Sequence, residues 1–268
     1  MVNIQKMIEQ AMENGYKGDN ASAKVCQDIV LKALATGPLS RNVTIKGGVV
    51  MRSKTNNVRR ATQDLDIDFI KYSLADEAID IFIKKLNCIE GVSVTRTGEI
   101  EELKQQDYSG KRVFILIEDK EGNQVRSKID LGVHNRFELE QEEYCFEIAY
   151  DDEGASLLIN SDEQMFAEKL RSLLKFGPLS TRYKDVYDMY YLKDTVDKIK
   201  LLMALDTYIF KDSSMREKEG KDVVNRLKKT FSDKVYIRSL DMSDKRLIDE
   251  DINVITKGIL DFILQTLY

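Results

Sequence analysis

The hexapeptide Asp64-Leu65-Asp66-Ile67-Asp68-Phe69 restricts the fold of this chain more than any other stretch. Acid and apolar residues alternate along it, and successive side chains of a strand point to opposite faces of a sheet. A strand here turns Leu65, Ile67 and Phe69 toward a core and lines up Asp64, Asp66 and Asp68 on the other side. Carboxylates so close repel one another unless a cation or several donors lie among them. Upstream, Gly47-Gly48 opens a strand-to-helix turn, whose backbone N–H groups suit anions. Arg52, Lys54, Arg59 and Arg60 lie between the two features. Hard divalent cations bind one or two carboxylates together with substrate phosphates. Residues 46–70 therefore read as a site for a metal-bound nucleotide, or else as a half-solvated strand beside a glycine turn.

Composition removes most other chemistries. The chain has 268 residues, room for one large or two smaller domains, and 43% hydrophobic residues to build a core. A net charge of −5 argues against a uniformly basic nucleic-acid binder and leaves room for a local basic groove. Cys26, Cys88 and Cys145 are scattered and form no CxxC, so neither zinc nor a disulfide framework is expected. Free cysteines, the absence of a signal-peptide pattern after Met1 and the absence of an 18-residue apolar run predict a cytoplasmic protein with no membrane partner. His134 is the single histidine, which leaves almost no scope for Ser-His-Asp or Cys-His catalysis. It follows Gly132-Val133 at a strand end, where a structural role is expected. P-loop, Rossmann and nucleophile-elbow signatures are missing. Chemistry must then come from carboxylates, Lys, Arg and a metal.

Taken in order, the periodicity predicts helices over about 3–13 and 19–36, a strand over Val43–Lys46, a helix from Val49 to about Lys54 and the acidic strand over Leu65–Ile70. Ser73 is a candidate cap for a helix carrying Leu74, Ala78, Ile81, Phe82 and Leu86. Strands follow at Val92–Thr97 and Val113–Ile117, separated by the polar stretch 98–110. A turn at Asp119–Asn123 leads into a strand over Val125–Val133. There Arg126, Lys128 and Asp130 share one face, as a neighbouring strand of a metal–triphosphate site or as a solvated salt-paired face. Two further strands, Tyr144–Ala149 and Ala155–Ile159, flank a turn at 151–154. From Ser161 the pattern is helical, opening with the capping box Ser161-x-x-Gln164. Lys169 falls within the apolar stripe of that helix. Asp185 shares a face with Met189 and Leu192 on the next, with Asp188 one turn along. An acid and a lysine placed on apolar faces of successive helices suggest a shared polar site, or a structural ion pair. The segment 211–230 is rich in Lys and Arg: a solvated face or a contact for a phosphate-rich partner. The domains expected are 1–160, a core with N-terminal helices, and 161–268, a helical domain.

Four pieces stand in sequence: Gly47-Gly48, TQDLD at 62–66, FAEKLRSLL at 166–174 and RYKDVYDMYYL at 182–192. Together they resemble the AbiEii/AbiGii nucleotidyltransferases, toxins of bacterial toxin–antitoxin and phage-exclusion systems. The likeness spans roughly residues 40–195. It implies an α+β fold: a nucleotidyltransferase-like mixed β-sheet core with N-terminal helices, followed by a C-terminal helical domain. It implies NTP as substrate and Mg²⁺ or Mn²⁺ as cofactor, bound between core and helical domain. Gly47 and Gly48 would cradle the triphosphate, and Asp64 and Asp66 hold the metal. Asp130 takes the place of the superfamily's third acid. Lys169 and Asp185, with Asp188 beside them, would be the helical-domain residues required for activity. The family more often carries Gly-Ser where this chain has Gly-Gly, and the interval from the glycines to Asp64 is long here.

The expected reaction is nucleotidyl transfer, with Arg59, Arg60 and Lys128 as further nucleotide-binding cations. The resemblance alone points to RNA, chiefly the tRNA 3′ end, as acceptor, and to a cognate antitoxin as partner. Two rivals stand beside it: a small-molecule (antibiotic-type) nucleotidyltransferase, and a non-enzymatic protein-binding module.

Overall fold

The computed structural model describes residues 2–103, 110–134, 139–242 and 246–268. Of the polar stretch 98–110, residues 104–109 lie outside the described residues. The chain divides into two compact units, Met1–Asn160 and Ser161–Tyr268.

The first unit begins with two helices, α1 (Ile4–Glu13) and α2 (Asp19–Thr36). Asn3 caps α1 by accepting from the Lys6 amide. Strand β1 (Val43–Lys46) runs into α3 (Gly47–Thr55), and a single 3₁₀ turn, Val58–Arg60, leads to β2 (Asp64–Phe69). Helix α4 (Asp76–Lys85) begins after Ala75, later than the sequence suggested. Ser73 accepts from the Ala75 amide in a local turn and does not cap the helix. Strands β3 (Val92–Glu102), β4 (Lys111–Asp119), β5 (Gln124–Val133), β6 (Gln141–Ile148) and β7 (Asp151–Asn160) complete the unit. β3 continues past Thr97 through an irregularity in its pairing with β4. The turn expected at 151–154 falls earlier, because Asp151 already pairs with Ile148.

The strands form one seven-stranded mixed sheet in the order β3-β4-β5-β2-β1-β7-β6. β2 lies antiparallel to β1 and parallel to β5, and β1 lies parallel to β7. Leu65, Ile67 and Phe69 are buried, as are Ile129 and Leu131 of β5 and Val113 and Ile115 of β4. The alternation in β2 thus sends its apolar side into the core and sets its acids on the opposite face.

The second unit is helical. α5 (Asp162–Phe176) is capped by Ser161, which accepts from the Gln164 amide. The reciprocal half of the expected capping box is absent, since Gln164 Oε1 accepts no hydrogen bond among the described residues, while its Nε2 donates to Glu168 and Tyr208. α6 (Tyr183–Leu192), α7 (Lys198–Leu205), α8 (Gly220–Phe231), α9 (Lys234–Leu240) and α10 (Ile252–Leu267) follow. Met165, Phe166, Leu170, Leu173 and Leu174 of α5 are buried, as are Ile252, Ile255, Ile259 and Ile263 of α10. Phe166 and Phe262 meet edge to face at 5.5 Å. No described helix is long and apolar enough to cross a membrane.

Candidate active site

Register places the acids. On β2 and β5, Asp64 stands opposite Lys128 and Asp66 opposite Asp130. β4 sets Arg112 opposite Asp130, and β1 sets Lys46 opposite Asp66. Directly opposed residues share a face, so Arg112, Asp130, Asp66 and Lys46 form one row across four strands. Neighbouring strands lie about 4.8 Å apart, and like charges directly opposite destabilise a sheet. Asp66 and Asp130 are such a pair.

Cations from neighbouring strands offset much of this charge. Lys128 Nζ lies 2.8 Å from Asp64 Oδ1, without the alignment of a hydrogen bond. Arg112 grips Asp130 bidentately, Nε and Nη2 donating at 2.7 and 2.8 Å. Those hydrogen bonds hold the Arg112 pKa above its ordinary value. Lys46 Nζ lies 2.7 Å from Asp68 Oδ1, both side chains nearly buried. Among the described residues no group of three or more His, Cys, Asp or Glu is gathered as a ready metal site. The expected set of Asp64, Asp66 and Asp130 is therefore not drawn together, since Lys128 and Arg112 each hold one member.

The glycine turn touches the acids. Gly47 has φ of +68°, and a Cβ built on it would overlap Asp66 Oδ2. The carboxylate thus packs on the bare α-carbon at the start of α3, where the helix favours negative charge. A Cβ on Gly48 would come within 2.8 Å of the Thr62 side chain. Gly47→Ala is expected to lower the unfolding free energy by about 2–3 kcal/mol, through left-handed strain and overpacking. Chemical denaturation of the variant measures it.

Of the basic segment, Arg52 and Arg60 are buried and Arg59 is exposed. Arg52 Nη1 donates to Gln27 Oε1 at 2.7 Å, and Gln27 Nε2 donates to the Thr62 carbonyl at 2.9 Å. Arg52 is thus spent on tying α2 to α3. His134 is buried, with Gln141 Nε2 3.1 Å from its Nδ1. Burial pushes the Cys26 thiol up to about 12, which leaves it inert as a nucleophile.

In the helical unit the second cluster is an ion triad. Lys169 Nζ donates to Asp185 Oδ1 at 3.2 Å and to Asp188 Oδ2 at 2.7 Å. All three residues are buried, Asp188 at 2% exposure. Arg182, one turn earlier, donates to the other oxygen of Asp185 at 2.6 Å. Lys169 does not snorkel to solvent from the stripe edge; the two acids of α6 hold it inside.

The sequence matches the family model described as "Nucleotidyl transferase AbiEii toxin, Type IV TA system" over residues 29–263. The chain belongs to the AbiEii family. Its enzyme class is therefore nucleotidyl transfer. No curated protein sequence matches it. Among solved structures it is similar to an antigenic nucleotidyltransferase-like protein from Paracoccidioides brasiliensis, at 13% identity and TM-score 0.45, over 82% of this chain and 91% of that one. It is also similar to the antibiotic-resistance factor ANT(2'')-Ia in solution, at 15% identity and TM-score 0.43, over 71% of this chain and 92% of that one.

In this AbiEii-family chain, sequence reading missed the partners of the acids: Arg112, Lys46 as the mate of Asp68, and Arg182. Arg112 was within reach. A hairpin turn at Asp119–Asn123 that pairs Glu118 with Gln124 carries the register back to Arg112 opposite Asp130.

Proposed function

We propose that this protein transfers a nucleoside monophosphate from a metal-bound NTP to a hydroxyl of RNA, the tRNA 3′ end, as the toxin of a toxin–antitoxin or phage-exclusion system. One observation carries the reading: Asp66 faces Asp130 across β2 and β5, with Asp64 two residues along and the start of α3 beside Asp66. A sheet keeps such like-charge opposition at a cost, and a divalent cation with a polyphosphate repays it.

The residues fit such an ion. Every donor offered is a carboxylate oxygen, the chemistry of Mg²⁺ or Mn²⁺, and Asp64 Oδ1 is buried with no hydrogen-bond donor aligned on it. Asp64 and Asp66 would hold the metal. Bound there, it would neutralise the triphosphate and the departing pyrophosphate. The Gly47-Gly48 turn offers the N-terminus of α3 to the phosphates. The acceptor oxygen attacks the α-phosphorus, the bond to pyrophosphate breaks, and a base takes the hydroxyl proton. Asp130, held by Arg112 with both oxygens, serves as that base or as a third ligand only when the pair opens. Lys128, Arg59 and Arg60 are proposed as phosphate-binding cations, and Lys169, Asp185 and Asp188 as residues required for activity. The family's naming as a type IV toxin–antitoxin system supports a cognate antitoxin; the bacterial cytoplasm is proposed as the place of action, in keeping with the free, scattered cysteines.

Incubation with each α-labelled NTP, Mg²⁺ and total RNA tests this. Label in RNA supports it, label confined to a small molecule moves the protein to antibiotic-type transfer, and no label with any acceptor leaves a binding module.

An RNA acceptor also predicts a salt signature. Lys221, Asn225, Lys228 and Ser232 recur at helical spacing along the exposed side of α8 and just past its end, with Lys229 beside them. Replacing Lys221 and Lys228 by Gln is expected to reduce the slope of log affinity for RNA against log salt by about 0.7 per lysine, read by fluorescence anisotropy.

A further inference from the structure

Two of the cations beside the candidate metal acids, Arg112 and Lys128, are not equivalent. Arg112 meets Asp130 through a planar two-point fork, with Asp130's side chain only 10% exposed. Such a fork is preorganised and gives geometric specificity. Lys128 meets Asp64 through one misaligned contact, the two side chains 31% and 39% exposed. An ion pair of that kind contributes little to stability and opens readily. Its flexible four-carbon stem lets the ammonium move while β5 stays in place.

We propose that Lys128 is a tethered counter-cation. It holds Asp64 while no metal-bound polyphosphate is present, and leaves Asp64 for the phosphates when one arrives. The inference rests on Asp64 and Asp66 being metal ligands, and it adds a selection rule to that reading. A bare divalent ion must displace Lys128 and then sit near a stranded ammonium, so it binds weakly. A divalent ion arriving with a polyphosphate brings the anion that takes up the ammonium, so it binds well. Lys128 thereby couples metal affinity to the presence of nucleotide, a linkage that works in both directions. Arg112 keeps its fork on Asp130 during this exchange at Asp64, and so holds the third acid in position until Asp130 itself is used.

The test titrates the full chain with Mn²⁺ alone, then with Mn²⁺ and inorganic tripolyphosphate, a probe independent of the base. Binding is read from the electron paramagnetic resonance signal of free Mn²⁺. Lys128→Met is expected to bind Mn²⁺ alone about tenfold tighter than the unaltered protein, through loss of competition and of charge repulsion, and Mn²⁺–tripolyphosphate several-fold more weakly. Lys128→Gln, which keeps a polar side chain at that site, should behave alike, with circular dichroism checking the fold of both. Lys120→Met, which removes an equal charge at the β4–β5 turn, should change neither titration. Equal or weaker binding of bare Mn²⁺ by both Lys128 variants, while Asp64→Asn abolishes it, overturns the counter-cation and leaves the metal reading standing. No saturable Mn²⁺ binding by the unaltered protein, with or without tripolyphosphate, overturns both.

Discussion

Asp66→Asn is expected to cut nucleotidyl transfer by about a thousandfold, the scale of losing one preorganised electrostatic group at a charge-developing centre. The same change should leave the unfolding free energy within about 1 kcal/mol of the unaltered chain. Two opposing terms lead to that small value. Asn removes the repulsion between Asp66 and Asp130, which face each other on adjacent strands. It also removes a negative charge packed against Gly47 at the start of α3, where the helix favours one. Label transfer to RNA, measured beside urea denaturation, separates the outcomes. Full activity in a folded Asp66→Asn protein would remove Asp66 from the chemistry, and a collapse in stability would recast it as a structural residue.

The largest stability effect is expected at Lys169. Lys169→Met leaves Asp185 and Asp188 buried without the ammonium they share, and breaking a buried pair by deleting one partner costs about 3–5 kcal/mol. Arg182 still reaches Asp185 but is itself largely exposed, so it offsets only part of the loss. Asp188 is the more deeply buried of the two acids. Adding Asp188→Asn to Lys169→Met should therefore recover part of the deficit, and the non-additivity of the double-mutant cycle measures the coupling. Denaturant unfolding followed by helical ellipticity gives both values. A change under about 1 kcal/mol for Lys169→Met would show that the triad adds little to the fold. Activity is a separate reading: a Lys169→Arg protein that regains stability and not transfer would assign the triad to function.

What could be read in the sequence followed from strong local signals. The alternation of Asp64 to Phe69 fixed both the strand and its faces, because a period of two leaves no other way to bury Leu65, Ile67 and Phe69 together. Lys169 and Asp185 stood out because charges on apolar stripes need partners, and each is the partner of the other. Less legible was anything decided at long range. The mate of Asp68 is Lys46, on a strand more than 20 positions earlier. For Lys128 the sequence left a nucleotide-binding cation and a salt-paired face both open, and the register that sets it against Asp64 could not be read locally. Ser73 carried the residue type of a cap, but its hydroxyl serves a local turn before the helix. β3 passes its expected end because the bend near Gly98, with φ of +70°, is taken up as an irregularity in the ladder.

The order β3-β4-β5-β2-β1-β7-β6 puts the acidic strand fourth of seven. Three strands stand between it and each margin of the sheet, so fraying at β3 or β6 must travel far before it disturbs the spacing of Asp64 and Asp66. The periphery is thereby free to vary, accept insertions or be remodelled over evolutionary time, while the middle keeps its dimensions.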